Sequence, residues 1–310
     1  MNPEISVVTT LYRSASYIDC FYRRIVAELE KLQVSYEILL VNDGSPDESL
    51  DIALRIQKLD GCVVVIDLSR NFGHHKAIME GLSNARGSKI FLIDCDLEEP
   101  PETLGAFHDR FNVGDCDVVY GTQVSRKGKW FERVSGGMFY KLFNYLSETP
   151  VPRDSTIARM MSKRYVSSLL QFKEDALFLG GIMAATGYRQ VPLPMYKLSK
   201  GDTTYTLKRK ISSSVSAITS FSEKPLQLVF HSGLLISLVS FAFAVWLVYQ
   251  KFMLGIAVDG WASLAVSIWL IGGLMMLFLG IIGIYIAKIF IETKQRPTTI
   301  VRQIYAEKQD

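Results

Sequence analysis

Two aspartates separated by one residue, Asp94 and Asp96, follow the apolar run 90–93 (Ile-Phe-Leu-Ile). A short apolar run is typical of a buried strand, which places both carboxylates at the end of that strand. A buried, unpaired charge is costly, and carboxylate oxygens are preferred ligands of hard divalent cations. The sequence therefore predicts a cation site at residues 94–96.

Polar segments also follow three earlier apolar runs. They are 9–12 (Thr-Thr-Leu-Tyr), 42–45 (Asn-Asp-Gly-Ser) and 69–73 (Ser-Arg-Asn-Phe-Gly). A single Asp-Gly-Ser is usually an ordinary turn. In open parallel sheets, however, ligands bind beyond the carboxyl ends of the strands. Four polar segments at successive strand ends therefore indicate one shared ligand.

The elements that carry these segments alternate between strand and helix patterns. Predicted strands cover 5–9, 37–41, 63–68, a run ending at Asp94, and 117–120, and predicted helices cover 18–32, 49–59, 76–85 and a segment after Pro101. This βαβ alternation predicts an α/β, Rossmann-like domain with a parallel sheet.

Two long uncharged stretches, Leu226 to Tyr249 and Trp261 to Ala287, follow this domain. Each is long enough to cross a hydrocarbon core of roughly 30 Å, so we predict two transmembrane helices. Basic residues precede the first span and follow the second, which predicts that both ends face the cytoplasm. The predicted organisation is a cytoplasmic domain (1–204), an amphipathic interfacial segment (205–225), a membrane hairpin (226–290) and a cytoplasmic tail (291–310).

Composition excludes some alternatives. A formal net charge of +3 over 310 residues gives no case for nucleic-acid binding. The N-terminus enters the first strand without the basic and apolar regions of a signal peptide, so the large domain is expected to stay in the cytoplasm. The four cysteines lack metal-type spacing and are expected to be reduced thiols.

The motifs resemble those of family 2 glycosyltransferases, in the branch of dolichol-phosphate mannose synthases and bacterial undecaprenyl-phosphate glucosyltransferases. Segment 42–45 is similar to the family's Asp-Asp-Gly-Ser, 69–73 matches its Ser-Arg-Asn-Phe-Gly, and 94–102 resembles its Asp-Ala-Asp-Leu-Gln-x-Pro-Pro-Glu. Segments around Tyr120 and 220–226 also resemble the family, so the resemblance covers nearly the whole chain.

The resemblance implies a GT-A fold and an inverting transfer of sugar from a nucleotide-sugar to a polyprenyl (undecaprenyl) phosphate at the bacterial plasma membrane. The product would be a lipid-linked sugar for surface glycan or O-antigen modification. In this interpretation Asp96, with Asp94 and Glu98, holds Mg²⁺ or Mn²⁺ and acts in catalysis. Thr9, Tyr12 and Asp43 line the nucleotide pocket, and Arg70 neutralises phosphate or orients Asp94.

Several positions depart from the family pattern. Asn42 replaces an aspartate, Thr10 replaces a proline and Arg13-Ser14 replaces Asn-Glu, which predicts a pocket for an unusual base or sugar. Glu98 replaces a glutamine, and the added charge is expected to strengthen metal binding unless the Glu98 side chain turns away from the site. Ile157 stands where the family has a proposed catalytic base, with Asp154 as a substitute.

Three further groups of residues each have a functional interpretation and a purely structural one. Asp175, in the pair Glu174-Asp175, is a second candidate base or part of a solvated helix end. Arg126 and Arg133 would bind the acceptor phosphate or form a solvated basic face. His74-His75 would touch phosphate or simply begin a helix.

Three functional classes remain distinct at this stage. A lipid-linked sugar synthase fits the motifs, whereas a processive polysaccharide synthase would carry Gln-x-x-Arg-Trp and more membrane helices, which the sequence lacks. A non-catalytic membrane-anchored binding protein is the third. Glycines in the second span, at 272, 273, 280 and 283, and the alternating tail around 299–304, which would pair with a neighbouring subunit, predict a homo-oligomer.

Overall fold

The computed structural model describes residues 3–123, 154–174, 179–198, 219, 222–253 and 260–307. Its strands are β1 (Ile5–Leu11), β2 (Tyr36–Asn42), β3 (Val63–Leu68), β4 (Lys89–Leu92), β5 (Val118–Gln123), β6 (Ser155–Ser162), β7 (Gln190–Met195) and β8 (Val301–Tyr305). Its helices are α1 (Ile18–Leu32), α2 (Ser49–Leu59), α3 (His74–Asn84), α4 (Thr103–Asn112), α5 (Lys163–Leu169), α6 (Leu179–Ala185), α7 (Lys224–Met253) and α8 (Trp261–Thr293).

The strands form one eight-stranded sheet in the order β7-β5-β6-β4-β1-β2-β3-β8. Strands β1 to β4 are parallel, whereas β6 and β8 run antiparallel to their neighbours. β5 and β7 pair in parallel and point the same way as β4. The predicted α/β fold is therefore confirmed, and six strands share one carboxyl edge.

Helices cover the sheet because their apolar faces pack on alternating strand residues. Phe21, Ile25 and Leu29 of α1 are fully buried. The rings of Phe91 in β4 and Phe107 in α4 lie 5.4 Å apart. On the opposite face α3 approaches the sheet closely at Gly81, where an added Cβ would lie 2.6 Å from a Val8 methyl carbon. The core thus fixes the loops at the strand ends.

The chain returns to this sheet after its apolar helices. β8 pairs antiparallel with β3 of the same chain, with Ile66 opposite Ile304 and a register shift between Asp67 and Leu68. The prediction that the tail pairs with a neighbouring subunit is wrong for this strand. Its alternating pattern identified a strand but could not identify the partner.

Helices α7 and α8 belong to a second compact unit of the chain. Their segments Lys224–Phe243 and Ser267–Thr293 are long and apolar enough to cross a membrane. Large apolar side chains such as Phe230, Phe241 and Trp269 are exposed on them. Within this unit the Tyr285 hydroxyl donates to the Ser222 carbonyl at 2.7 Å. These helices are therefore candidate membrane spans.

Candidate active site

The polar segments predicted from the strand ends do lie along one edge of the sheet, because β1 to β4 are parallel. β4 ends at Leu92, two residues earlier than predicted, so Asp94 and Asp96 lie in the loop beyond it. β7 ends at the same edge and adds the segment 196–198, which is not among the four predicted polar segments.

Asp43 connects the second and third of these segments. Its side chain is 2% exposed, and its oxygens accept backbone hydrogen bonds from Phe72 (2.7 Å) and Gly73 (3.0 Å). Burial raises the pKa of Asp43, and the two hydrogen bonds partly offset that shift. The carboxylate therefore orders the 69–73 loop, while its predicted contact with a nucleobase stays a prediction.

Gly44 allows these two loops to touch. Its φ is +57°, and a Cβ at this position would lie 2.5 Å from the Asn71 nitrogen and 2.9 Å from the Arg70 Cα. Both the left-handed backbone and the close approach require glycine. The Asp-Gly pair therefore holds the two loops together.

Asn42 is buried, with 2% of its surface exposed. Its amide nitrogen donates to Asp67 Oδ1 at 2.8 Å, and its amide oxygen accepts from Ser45 N at 3.2 Å. An aspartate here would face the Asp67 carboxylate and could not donate to it. This side chain therefore compensates a buried carboxylate, and its predicted effect on the nucleotide pocket stays a prediction.

Two residues at the end of β1 and just after it are predicted to line the nucleotide pocket, and one is buried while the other is exposed. Thr9 is fully buried, so it does not line an open surface as predicted. Tyr12 is 45% exposed, with the Arg13 guanidinium 5.8 Å from its ring centroid. The position of Tyr12 is compatible with stacking on a ligand.

Asp47, in the loop after β2, anchors residues 13–15, which directly follow Tyr12. It accepts hydrogen bonds from the Ser45 and Ser49 hydroxyls and from the Ala15 backbone nitrogen. Partial burial alone would raise the pKa of Asp47, but these hydrogen bonds lower it to about 2. The carboxylate is therefore charged at neutral pH and continues to anchor residues 13–15.

Arg70 is exposed at the edge of the 69–73 loop. Its guanidinium lies 4.1 Å from the Phe72 ring centroid and donates to the Asn71 carbonyl at 3.2 Å. Asp94 Oδ1 lies 3.4 Å from His74 Nε2, a contact that is an ion pair only when the imidazole is protonated, and burial lowers the pKa of His74. The orientation of Asp94 by Arg70 stays a prediction. His74 Nδ1 also lies 3.0 Å from Thr10 Oγ1, so His74 is part of the site and not only a helix start.

The Asp-x-Asp loop turns sharply at Leu97, whose φ is +62°. Asp96 Oδ1 accepts a hydrogen bond from Glu98 N at 3.0 Å. The Glu98 carboxylate pairs with Lys197, with Nζ at 3.0 Å. Although burial alone would lower the pKa of Lys197, its bond to Glu98 and nearby carboxylates raise it. The added charge of Glu98 is thus matched by an ammonium group, and its predicted strengthening of metal binding stays a prediction.

Glu99 is a site residue that the sequence analysis missed. It is fully buried and accepts backbone hydrogen bonds from Ile157 (3.1 Å) and Ala158 (2.7 Å), and Lys197 Nζ lies 3.9 Å away. Burial and the charge of Asp94 raise its pKa to about 6. Glu99 therefore joins the Asp-x-Asp loop to β6.

Comparison with known proteins identifies the family. The family model described as glycosyl transferase family 2 matches residues 6–170, more than half of the chain. The chain belongs to glycosyl transferase family 2. It is therefore an enzyme of the glycosyltransferase class, and its sheet with the Asp-x-Asp loop is the family's GT-A-type fold.

Relatives match over nearly the full length. A Mycobacterium tuberculosis protein named "Putative glycosyltransferases" is 43% identical over 97% of this chain and 88% of its own length. The "Prophage bactoprenol glucosyl transferase homolog" of Escherichia coli is 32% identical over 97% of this chain and 99% of its own. Among solved structures, a Pyrobaculum calidifontis mannosyltransferase in complex with GDP-Man and Mn²⁺ gives a TM-score of 0.48 at 14% identity, over 95% of this chain and 87% of that one.

The predicted metal ligands of this glycosyltransferase are Asp94, Asp96 and Glu98. Among the residues that the structure describes, no group of three or more His, Cys, Asp or Glu side chains is arranged to hold a metal ion. Asp94 and Asp96 nevertheless fit Mg²⁺ or Mn²⁺, because Mg²⁺ is commonly held by one or two carboxylates with substrate phosphates and water. A diphosphate substrate would supply the remaining oxygens.

Of the candidate catalytic bases and acceptor-binding residues, the structure describes Asp154. Asp154 is half-buried, has a φ of +61° and directly precedes β6. Because β6 is antiparallel to β4, its first residues lie at the same edge as the Asp-x-Asp loop. Asp175, Arg126 and Arg133 lie outside the described residues, as does most of the predicted amphipathic segment 205–225.

Proposed function

We propose that this glycosyltransferase transfers a sugar from a nucleotide-sugar to a polyprenyl phosphate, such as undecaprenyl phosphate. Two features of one chain support this proposal. A family 2 domain has Asp94, Asp96 and Arg70 at the strand-end edge of its sheet, and two apolar helices follow later in the sequence. A relative of similar length that is named a bactoprenol glucosyl transferase homolog supports the same acceptor class. The product is a lipid-linked sugar for surface glycan or O-antigen modification.

The chemical task of this site is to compensate the negative charge that develops on the leaving nucleoside diphosphate. A phosphate oxygen of the acceptor attacks the anomeric carbon of the sugar, and the bond from that carbon to the nucleoside diphosphate breaks on the opposite face. The anomeric configuration is thereby inverted. A divalent ion held by Asp94 and Asp96 would stabilise the negative charge that develops on the diphosphate. Arg70, exposed on the 69–73 loop at the same edge of the sheet, is suited to bind a phosphate oxygen.

The acceptor needs little activation, because its phosphate is already anionic near neutral pH. Asp154 is assigned as the candidate base because it precedes β6 at the edge where the Asp-x-Asp loop lies. Asp175 is the second candidate base, and Arg126 and Arg133 are assigned to the acceptor phosphate. These three rest on the family resemblance alone.

The proposed location is the bacterial plasma membrane, with α7 and α8 crossing it and the sheet domain in the cytoplasm. Lys208, Arg209 and Lys210 precede α7 and Arg296 follows α8, a distribution that favours cytoplasmic ends. Homo-oligomer formation through the small residues of α8 stays a prediction. Nucleic acid has no place in this function.

A direct test is transfer of radiolabelled sugar to undecaprenyl phosphate in detergent, from a panel of UDP-, GDP- and CDP-sugars with Mg²⁺ or Mn²⁺. The expected result is a chloroform-soluble labelled product from one donor, lost on chelation and restored by adding metal. Hydrolysis of the donor without a lipid product would point to another acceptor. Nucleotide binding without turnover from any donor would favour a non-catalytic binding protein.

Gly44→Ala is expected to raise the KM for the nucleotide-sugar about tenfold with a smaller change in kcat, because the new Cβ separates the 42–45 and 69–73 loops. The left-handed backbone adds about 1 kcal/mol of strain. Steady-state kinetics with varied donor measure this change. Gly105→Ala is the matched control, since a Cβ at Gly105 in α4 meets nothing within 4 Å. An equal KM change in both variants would contradict the role of Gly44.

A further inference from the structure

We propose that the C-terminal strand β8 holds the 69–73 loop in its ligand-binding conformation, with Arg302 as the positioning residue. The assignment of the loop to the nucleotide-sugar rests on the proposed function. The contacts that carry the proposal lie entirely within the sheet domain and involve residues on both sides of the membrane hairpin in sequence.

Residues of the tail bind both backbone groups of Ser69, the first residue of the loop. Arg302 Nη2 donates to the Ser69 carbonyl at 2.8 Å, and Ser69 N donates to the Ile300 carbonyl at 2.9 Å. The register shift between Asp67 and Leu68 lies just before this point. At Ser69 the backbone therefore leaves the regular pairing of β3 with β8, and Arg302 and Ile300 of the tail bind its carbonyl and N–H groups.

The second guanidinium contact is with Asp67, which is 1% exposed. Arg302 Nη1 lies 3.0 Å from Asp67 Oδ2, while Asn42 donates to Asp67 Oδ1. A carboxylate at this depth requires such partners, because an unpaired buried charge is costly. Since Asn42 also accepts from Ser45 N, one network links the tail to both the 42–45 and 69–73 loops.

The tail also contacts the helix that follows the loop. The Thr299 hydroxyl hydrogen-bonds to Glu80 in α3, the helix that begins directly after the loop. Asp43 holds Phe72 and Gly73 between these two anchors. Residues 299–302 therefore contact the elements on both sides of the loop, and Arg302 is the side chain that reaches the loop itself.

A role limited to sealing the edge of the sheet would give different contacts. Arg302 is 57% exposed, so it buries little surface, and its two donors are directed at Asp67 and Ser69 rather than at solvent. Gln303, the next residue of β8, is exposed and provides a matched position on the same strand. Comparison of these two positions separates loop positioning from strand stability.

The test compares Arg302→Met with Gln303→Met in the full-length protein in detergent. Hydrogen exchange of the peptide covering 69–73, followed by mass spectrometry without ligand, should be about tenfold faster in Arg302→Met and unchanged in Gln303→Met. The KM for the nucleotide-sugar should rise about tenfold, with kcat within about twofold. Arg302→Lys, which can still pair with Asp67, should give an intermediate result and serves if the methionine variant does not fold.

Equal exchange in Arg302→Met and the parent protein, or equal acceleration in both methionine variants, would overturn the proposal. So would a lower melting temperature with unchanged exchange in 69–73 and unchanged KM, because that pattern belongs to a purely structural strand. The exchange measurement needs no substrate. If the parent protein transfers no sugar, faster exchange in Arg302→Met alone would support the positioning role while the proposed function fails.

Discussion

Asp96→Asn is expected to lower sugar transfer at least about 100-fold at saturating donor, the largest effect of any single substitution proposed. Asparagine has nearly the same shape, and its amide oxygen can still accept the hydrogen bond from Glu98 N. What is lost is the negative charge at the end of β4. The initial rate of labelled lipid formation measures the effect, with the melting temperature recorded in parallel.

Two controls separate the role of Asp96 from general effects of charge. Asp109→Asn removes an 83% exposed carboxylate from α4 and should leave the rate within about twofold. Metal titration should show that Asp96→Asn needs a higher Mg²⁺ or Mn²⁺ concentration for half-maximal residual activity. Full activity in the variant, or activity of the parent protein that survives complete chelation, would contradict the metal assignment of Asp96.

The local patterns of the sequence were sufficient for the parallel half of the sheet. The predicted bounds of α1, α2 and β3 are those of the structure, because each carries an unbroken apolar period between turn signals. β4 ends earlier than predicted because its pairing with β1 and β6 stops at Leu92, although the apolar run continues to Ile93. Such an ending depends on neighbouring strands and is not encoded in the run itself.

The antiparallel strands illustrate what local patterns lack. The predicted strands do not include residues 155–162, yet this segment forms β6 between β4 and β5. The tail alternates clearly enough to suggest a strand, but its pairing with β3 joins residues more than 230 positions apart. Alternation specifies which face is buried and leaves the identity of the neighbouring strand open.

The same distinction applies to the site. Asp94, Asp96, Arg70 and Tyr12 were found because they follow strands in recognisable segments. Long-range contacts instead determine the environments of Asn42, Glu98 and Glu99, whose partners are Asp67, Lys197 and β6. Lys197 follows a strand-like segment, β7, and its position two residues after that strand is the signal that points to it. For Glu99 no local signal separated it from the adjacent Glu98.

Lys197→Met is expected to lower transfer about 30-fold, a loss of about 2 kcal/mol of transition-state stabilisation. The ammonium group pairs with Glu98 and lies 3.9 Å from the buried Glu99, which also feels the charge of Asp94. Without it, three neighbouring carboxylates repel one another and the loop that carries Asp94 and Asp96 is displaced. Initial rates measure the loss, and Lys58→Met, which removes an exposed lysine of α2, is the matched control.

The double variant Lys197→Met with Glu98→Gln tests the physical cause. Glutamine is the residue that the family resemblance places at position 98, so the double variant removes one carboxylate together with its counter-charge. If Lys197 acts by compensating Glu98, the double variant should be about tenfold more active than Lys197→Met alone. With Glu98→Gln alone as active as the parent protein, this is a coupling of about 1.4 kcal/mol. If Lys197 instead binds a substrate phosphate directly, Glu98→Gln cannot restore activity, and the double variant will be no better than Lys197→Met.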